Sequence, residues 1–317
     1  MVFLLDKDEI GFPDPRKGEE DGLFAVGGDL SPERLLLAYS HGIFPWYAFR
    51  AEDSCPELID PATGKPYIQW WCPMQRFVIL PGDIHVSHSM RPLLHKVQTG
   101  EIQVTLNAAF ERVIDLCGTL REQHEGAWLG PEMKAAYIEL NKRGFAVSVE
   151  VWEGEELIGG LYGVSLGHGF FGESMFHLVS DASKVAFWRM IDFCRMHGLR
   201  MVDAQQETKH LFSLGARPIP RSDYLQQLYA MPQDRTLRYY WRNNSVALLL
   251  GGNQGNVELI MDLAVQMLED ELGYVCLESS FYETEPWGDF AEENPQPFLT
   301  KAIVVDTDLP AFEVIRH

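Results

Sequence analysis

From Phe145 to Trp152 apolar and polar residues alternate, Glu153-Gly154-Glu155-Glu156 makes a turn, and Leu157 to Phe176 continues as a Gly-rich apolar strand. A period of two over this length predicts a long hairpin or meander, because successive strand side chains point to opposite faces. The flanks are helical. Asn107 can cap a helix with Phe110, Val113, Ile114 and Cys117 on one face, and a second helix follows Pro131 and ends near Gly144. Beyond the meander a helix over 181–197 is stopped by Gly198, and a strand runs from Leu199 to Gln205. Upstream, Ser31-Pro32-Glu33-Arg34 opens a helix that Gly42 ends, with Ser as N-cap and Pro in the first turn. Arg50 to Tyr67 is a polar, Pro-rich loop, and Phe77 to Leu80 is a short strand. Helices, then antiparallel strands, then a helix and a strand predict a mixed α/β (α+β) fold.

At 317 residues the chain exceeds one typical domain. A polar stretch at 236–244 reads as a linker between a main body and a segment of different charge. From Asn244 onward there are 14 acidic and two basic residues, leaving 32 acidic and 24 basic before it. The tail therefore carries −12 of the net −20, and the body only −8. Phosphate binding rests on Lys and Arg, so the global charge looks hostile to nucleic acid, but its distribution excludes no RNA substrate. Five scattered cysteines without a CxxC pair argue for a reducing compartment and against a disulfide framework or zinc site. With no signal-peptide h-region and no run of membrane-spanning length, the expectation is a cytoplasmic, monomeric protein without a membrane partner.

Two acidic positions stand out. Asp203 and Gln205 fall on the same strand face by alternation, where spacing alone would simply end a strand at a solvated edge. Glu173 lies among Phe170, Phe171, Met175 and Phe176, and a carboxylate in such surroundings must be paired or bind something charged.

These residues belong to a longer pattern. FAVGGDLSPERLLLAYSHGIFPW (24–46), WWCP (70–73), VSVEVW (147–152), LIGGLYGV (157–164), GESMF (172–176), ASK (182–184), VDAQ (202–205) and SLGA (213–216) stand in one order. Across residues 10–230 the chain resembles leucyl/phenylalanyl-tRNA–protein transferases. The resemblance implies a small N-terminal domain at 1–70 and an acyltransferase-like domain with a GNAT-type core at 71–235. It implies transfer of Leu, Phe or Met from aminoacyl-tRNA to proteins beginning with Arg or Lys, which marks them for N-end-rule degradation. An aminoacyl ester is already activated, so no cofactor and no metal is expected. The site need only orient the α-amine, accept its proton and stabilise the oxyanion.

By the same resemblance Asp203, Gln205 and Glu173 are the catalytic group, with Gln205 meeting the amine, Asp203 orienting Gln205, and Glu173 near the α-amino group of the donated amino acid. A neutral amide is a very weak base, so Gln205 positions the amine, and the proton passes to Asp203 or to the terminal ribose hydroxyl. Leu161, Phe170 and Met190 take the side-chain pocket positions, Leu161 and Met190 standing where the family commonly has Met and Phe. Trp46 and Trp128 would stack on the terminal adenine. Arg76, Arg91 and Lys96 would contact the acceptor stem, in a region where His88 and His95 replace cations. His85 and His88 form an HxxH with no third ligand, which reads as polar surface.

The tail pattern is βαββα in period: strands over Ser245–Leu250, Tyr274–Tyr282 and Phe298–Val305, a helix over Val257–Leu272, and a helix starting at Pro310. ALLLGGNQGN (247–256), SSFYETEPWG (279–288) and QPFL (296–299) resemble the opening of 6-hydroxymethyl-dihydropterin pyrophosphokinases. That resemblance implies a partial ferredoxin-like segment at 245–317, with Phe298 and Thr300 at pterin-facing positions. The acidic pair that would hold magnesium falls outside the segment, so no pyrophosphokinase activity is expected from it. Other readings are an acyl-CoA-dependent N-acetyltransferase, against which no Gly-rich run precedes a helix in the GNAT region, a bifunctional fusion with a complete pyrophosphokinase, and a pterin- or RNA-binding protein without catalysis. The last is separated from an enzyme by whether Asp203, Gln205 and Glu173 converge on one pocket.

Overall fold

The structure, a computed structural model, describes residues 2–46, 55–122, 129–231, 236, 244–272, 274–285, 296–307 and 314. Two compact units divide the chain, Met1–Tyr239 and Tyr240–His317. Among the described residues no helix is long and apolar enough to cross a membrane.

The first unit opens with β1 (Phe3–Leu5), β2 (Leu23–Gly27), α1 (Pro32–Ser40), β3 (Phe44–Trp46) and β4 (Gln69–Trp71). These four strands form one sheet in the order β1-β2-β4-β3. Ser31 caps α1 by accepting the Arg34 N–H, and Gly42 ends the turn at φ 72°, a left-handed conformation that suits glycine.

A second, seven-stranded sheet follows. In chain order its elements are β5 (Gln75–Ile79), α2 (Arg91–Gln98), β6 (Ile102–Leu106), α3 (Phe110–Glu122), α4 (Pro131–Lys142), β7 (Ala146–Glu153), β8 (Glu156–Leu166), β9 (Gly169–His177), α5 (Ala182–Met196), β10 (Met201–Asp203), α6 (Lys209–Ser213), β11 (Arg217–Pro220) and α7 (Arg221–Ala230). The strand order is β11-β5-β10-β9-β8-β7-β6, antiparallel throughout except for the parallel pair β9–β10. The predicted meander is β7-β8-β9.

Helices cover both faces of this sheet. A Cβ on Gly160 would meet Val113 of α3, whereas one on its neighbour Gly159 would meet Ala182 of α5. The alternation of β7 therefore does not mark a solvated face: Ser148 and Glu150 are buried. Glu150 carries its own donors, accepting Ser148 Oγ, Thr105 Oγ1 and the Ala108 and Ala109 N–H groups. Those last two bonds satisfy the amides entering α3, so Glu150, rather than Asn107, caps that helix. Asn107 instead adopts φ 56° and accepts from Asn141 Nδ2.

The second unit contains β12 (Asn244–Gly252), α8 (Val257–Glu271), β13 (Tyr274–Glu278), β14 (Tyr282–Thr284) and β15 (Phe298–Thr307). β15 lies between β12 and β13 and is antiparallel to both, so β12 and β13 run parallel and α8 joins them. Phe298 and Thr300 pair with Thr284 and Tyr282 along β14. The core is small, built on Val265, Leu272, Ile303 and Val305, while Leu249 and Leu277 are 74% and 66% exposed. Of the helix expected from Pro310 only Val314 is described, and it is helical and buried.

Candidate active site

β9 carries an extra residue. Tyr162 pairs with Ser174 and Gly163 with Gly172, which leaves Glu173 unpaired in a bulge. A bulge bends a strand and re-aims a side chain. Gly163 is required opposite it, because a Cβ there would lie 2.3 Å from the Phe171 carbonyl oxygen and 2.6 Å from the Phe170 ring.

The re-aimed Glu173 is buried and meets three neutral donors. Tyr39 Oη of α1 donates to Oε1 at 2.7 Å, Tyr137 Oη of α4 to Oε2 at 2.7 Å, and Gln205 Nε2 to Oε1 at 2.6 Å. The two tyrosine hydroxyls are 2.6 Å apart. Burial pushes the Glu173 carboxyl up to about 7, against the lowering effect of Tyr137, Tyr39 and Gln205. Burial and the adjacent carboxylate likewise push the Tyr39 and Tyr137 hydroxyls well above the ordinary tyrosine value, so both remain donors.

Asp203 ends β10, and its surroundings are of another kind. Oδ1 accepts Arg76 Nε at 2.8 Å and the Gln205 backbone N–H at 2.8 Å; Oδ2 accepts Arg76 Nη2 at 2.6 Å and Tyr224 Oη at 2.7 Å. Gln205 stands beyond the strand at φ 62°. The same-face argument from alternation is therefore wrong: the strand stops at Asp203, and a side-chain-to-backbone turn of the Asx kind carries the chain to Gln205. The solvated strand edge fails too, since Asp203 and Gln205 are both buried.

β9 and β10 pair only from Gly169–Phe171 against Met201–Asp203, and β9 continues to His177 paired with β8 but no longer with β10. A cavity of about 620 Å³ is lined by this part of β9, where β10 has parted from it, by the β10 end and by α5. Glu173, Asp203 and Gln205 all line it, together with Leu161, Phe170, Met190 and Trp46.

A family model for leucyl/phenylalanyl-tRNA protein transferase matches residues 78–229, and one for the N-terminal domain of that family matches 28–55. The leucyl/phenylalanyl-tRNA–protein transferase of Desulfatibacillum aliphaticivorans is 47% identical over 241 residues, 76% of this chain and 95% of that relative. The chain belongs to this family. A second member, from Anaeromyxobacter sp. (strain Fw109-5), is 48% identical over 241 residues, 76% of this chain and 94% of the relative. Among solved structures, an aminoglycoside acetyltransferase from an uncultured soil metagenomic sample reaches a TM-score of 0.29 at 10% identity, over 46% of this chain and 98% of that one, too low to assign a fold.

Of the residues that resemblance to the family singled out, one is misplaced by sequence reasoning. Arg76 is 1% exposed and committed to Asp203, so it has no free face for an acceptor stem. Arg91 is exposed at the start of α2, and Lys96 is ion-paired to Glu153 at 3.2 Å. Trp128 lies outside the described residues. Sequence reasoning missed Tyr39, Tyr137 and Tyr224; for the first two the usable signal was Glu173 itself, whose burial demands donors. It also missed Met175, Phe187 and Val202, which line the cavity beside the expected three.

Proposed function

We propose that the cavity holds the aminoacyl end of a tRNA and that Gln205 presents the attacking amine to its ester. The activity is that of the family, transfer of Leu or Phe from aminoacyl-tRNA to a protein N-terminus, which tags the protein for degradation. One observation carries the assignment of residues: the Gln205 amide is gripped at both its side chain and its backbone. Ionised Glu173 only accepts hydrogen bonds, so Nε2 must face it. Oε1 is thereby left to accept a hydrogen from the acceptor's α-amine. That amine has a pKa near about 7.7–8.0, so an appreciable fraction is neutral at cellular pH.

The amine nitrogen bonds to the ester carbonyl carbon and the carbon–ribose oxygen bond breaks. The proton leaving nitrogen ends on the ribose oxygen. Asp203 does not take it, because its oxygens already accept four hydrogen bonds, two of them from a guanidinium. Leu161, Phe170 and Met190 form the apolar wall for Leu, Phe or Met, and Trp46 a stacking surface at the rim, a role shared with Trp128. Arg91 and Lys96 remain the acceptor-stem cations in this reading.

N-terminal Arg or Lys as the acceptor, a monomeric state and a cytoplasmic site of action complete the proposal; the scattered thiols of Cys55, Cys72, Cys117 and Cys194 support a reducing compartment. The parting of one parallel strand pair in an antiparallel sheet supports the GNAT-type reading of residues 71–235. For residues 245–317 the split order β12-β15-β13 supports a partial ferredoxin-like, pterin-kinase-like segment, with Phe298 and Thr300 on its central strand. The test is transfer of labelled Leu or Phe from charged tRNA to a peptide beginning with Arg or Lys. Folded protein at high concentration that transfers nothing would refute it.

A further inference from the structure

We propose that Arg76 and Tyr224 are positioning residues for the transfer reaction, acting through Asp203 to hold Gln205 in a left-handed turn that its sequence does not favour. The inference rests on the reading of Gln205 given above. A non-glycine residue at φ 62° is held in a sparsely populated conformation and persists only where surrounding contacts over-determine it. The contacts are present. Gln205 donates its N–H to Asp203 Oδ1 and accepts at its carbonyl from the Phe77 N–H, while the preceding Ala204 N–H donates to the Phe77 carbonyl. Phe77 is the β5 neighbour of Arg76, so one strand supplies both the backbone rail and the cation.

Asp203 can orient Gln205 only if its own carboxylate cannot rotate. Arg76 approaches as a two-pronged fork, Nε to one oxygen and Nη2 to the other, which fixes the carboxylate plane. Tyr224 closes the last acceptor direction on Oδ2. The guanidinium is itself sandwiched, its central carbon 4.6 Å from the Phe44 ring centroid and 4.7 Å from that of Tyr224. Burial alone would lower the Arg76 pKa, but Asp203 and Tyr224 more than offset this and raise it. Phe44 belongs to β3 of the four-stranded sheet, Arg76 to β5, Tyr224 to α7. The orientation of one amide thus depends on elements from both sheets of the first unit.

The decisive variant is Tyr224→Phe, which keeps the ring over Arg76 and removes one hydrogen bond to Asp203. Its kcat for Leu transfer is expected to fall roughly tenfold, the scale of a hydrogen bond to a charged group, with KM for Leu-tRNA unchanged. Arg76→Lys keeps the charge, loses the fork and is expected to lower kcat further. In a Gln205→Ala background Tyr224→Phe should cost nothing more, because the group being positioned is gone. Independent losses in that background, or full kcat in Tyr224→Phe, would overturn the proposal. Hydrogen exchange at the Gln205 backbone amide gives a readout without catalysis: it should quicken about tenfold in Tyr224→Phe as the Asp203 acceptor loosens. Unchanged exchange overturns the positioning role even if transfer is slow. A wild-type chain that transfers nothing, yet shows the exchange effect, refutes the reaction assigned to Gln205 and leaves the positioning role standing.

Discussion

The bulge in β9 and the end of β10 each bring a buried carboxylate to Gln205, and the two are stabilised in different ways. Asp203 is matched by a cation, with every oxygen direction filled. Glu173 is given hydroxyls and an amide but no cation, and its pKa rises to about 7. A charge paired this completely is a fixed structural element; a charge solvated only by dipoles stays close to its protonation equilibrium. One end of the glutamine is thus held rigidly, and the other is held by a group whose charge changes near neutral pH.

The largest expected effect separates these roles. Arg76→Met should destabilise the first unit by about 3–5 kcal/mol in urea melts, because Asp203 is left buried and unpaired. Adding Asp203→Leu should restore most of that stability without restoring transfer. If the double variant transfers at the wild-type rate, Asp203 has no part in the chemistry.

Glu173→Gln should show the opposite pattern, with transfer lowered about 100-fold by misplacement of the amide and stability preserved. The sign follows from the raised pKa. Below the usual 4.5 the group is protonated folded and unfolded, so it costs nothing; the cost of ionising it in the fold grows from there and is complete above about 7. It is then on the order of 3 kcal/mol. Melts at pH 8 and pH 5 should therefore differ less for Glu173→Gln than for the wild type. An equal pH dependence would show that Glu173 ionises without penalty.

How far the sequence discloses this site depends on the range of the interactions. The meander, α1 with its Ser31 cap and the tail's βαβ order follow from local periods and turn chemistry, and all are present. Glu173 was conspicuous because its neighbours are apolar. The bulge that aims it was not legible, since an extra residue in β9 has meaning only against the register of β8. Gln205 reads as strand from the sequence for a related reason: its turn is made by the Asp203 carboxylate, which local propensity does not report. Arg76 reads as a surface cation from the sequence because its partner is 127 residues away. Tyr39 and Tyr137 hide among the apolar positions of their helices, and their hydroxyls find Glu173 across 134 and 36 residues.

A smaller effect tests the Glu173 side alone. Tyr137 lowers the Glu173 pKa by hydrogen bonding, so Tyr137→Phe should raise it further. The acid limb of the kcat–pH curve should then move up by roughly 0.5–1 pH unit. The acceptor amine also titrates near this range, but it is the same in both proteins, so the displacement belongs to Glu173. An unmoved limb would assign the titration to the amine.

The smallest effect concerns the cavity wall, which neither carboxylate touches chemically. Leu161 and Met190 together fill less space than a Met and Phe pair at these positions would, so the present cavity should favour the larger donor more than that pair would. Leu161→Met with Met190→Phe should shift the ratio of Phe to Leu transfer toward Leu by about tenfold or less, the scale of a few carbons in an apolar pocket. Methionine adapts its shape readily, so Met190→Phe should account for most of the change. Both variants should leave the pH midpoint where it is, since neither residue donates to Glu173. A change in that midpoint would mean that the wall and the amide grip are coupled, and that the rigid and titrating halves of the site are not independent.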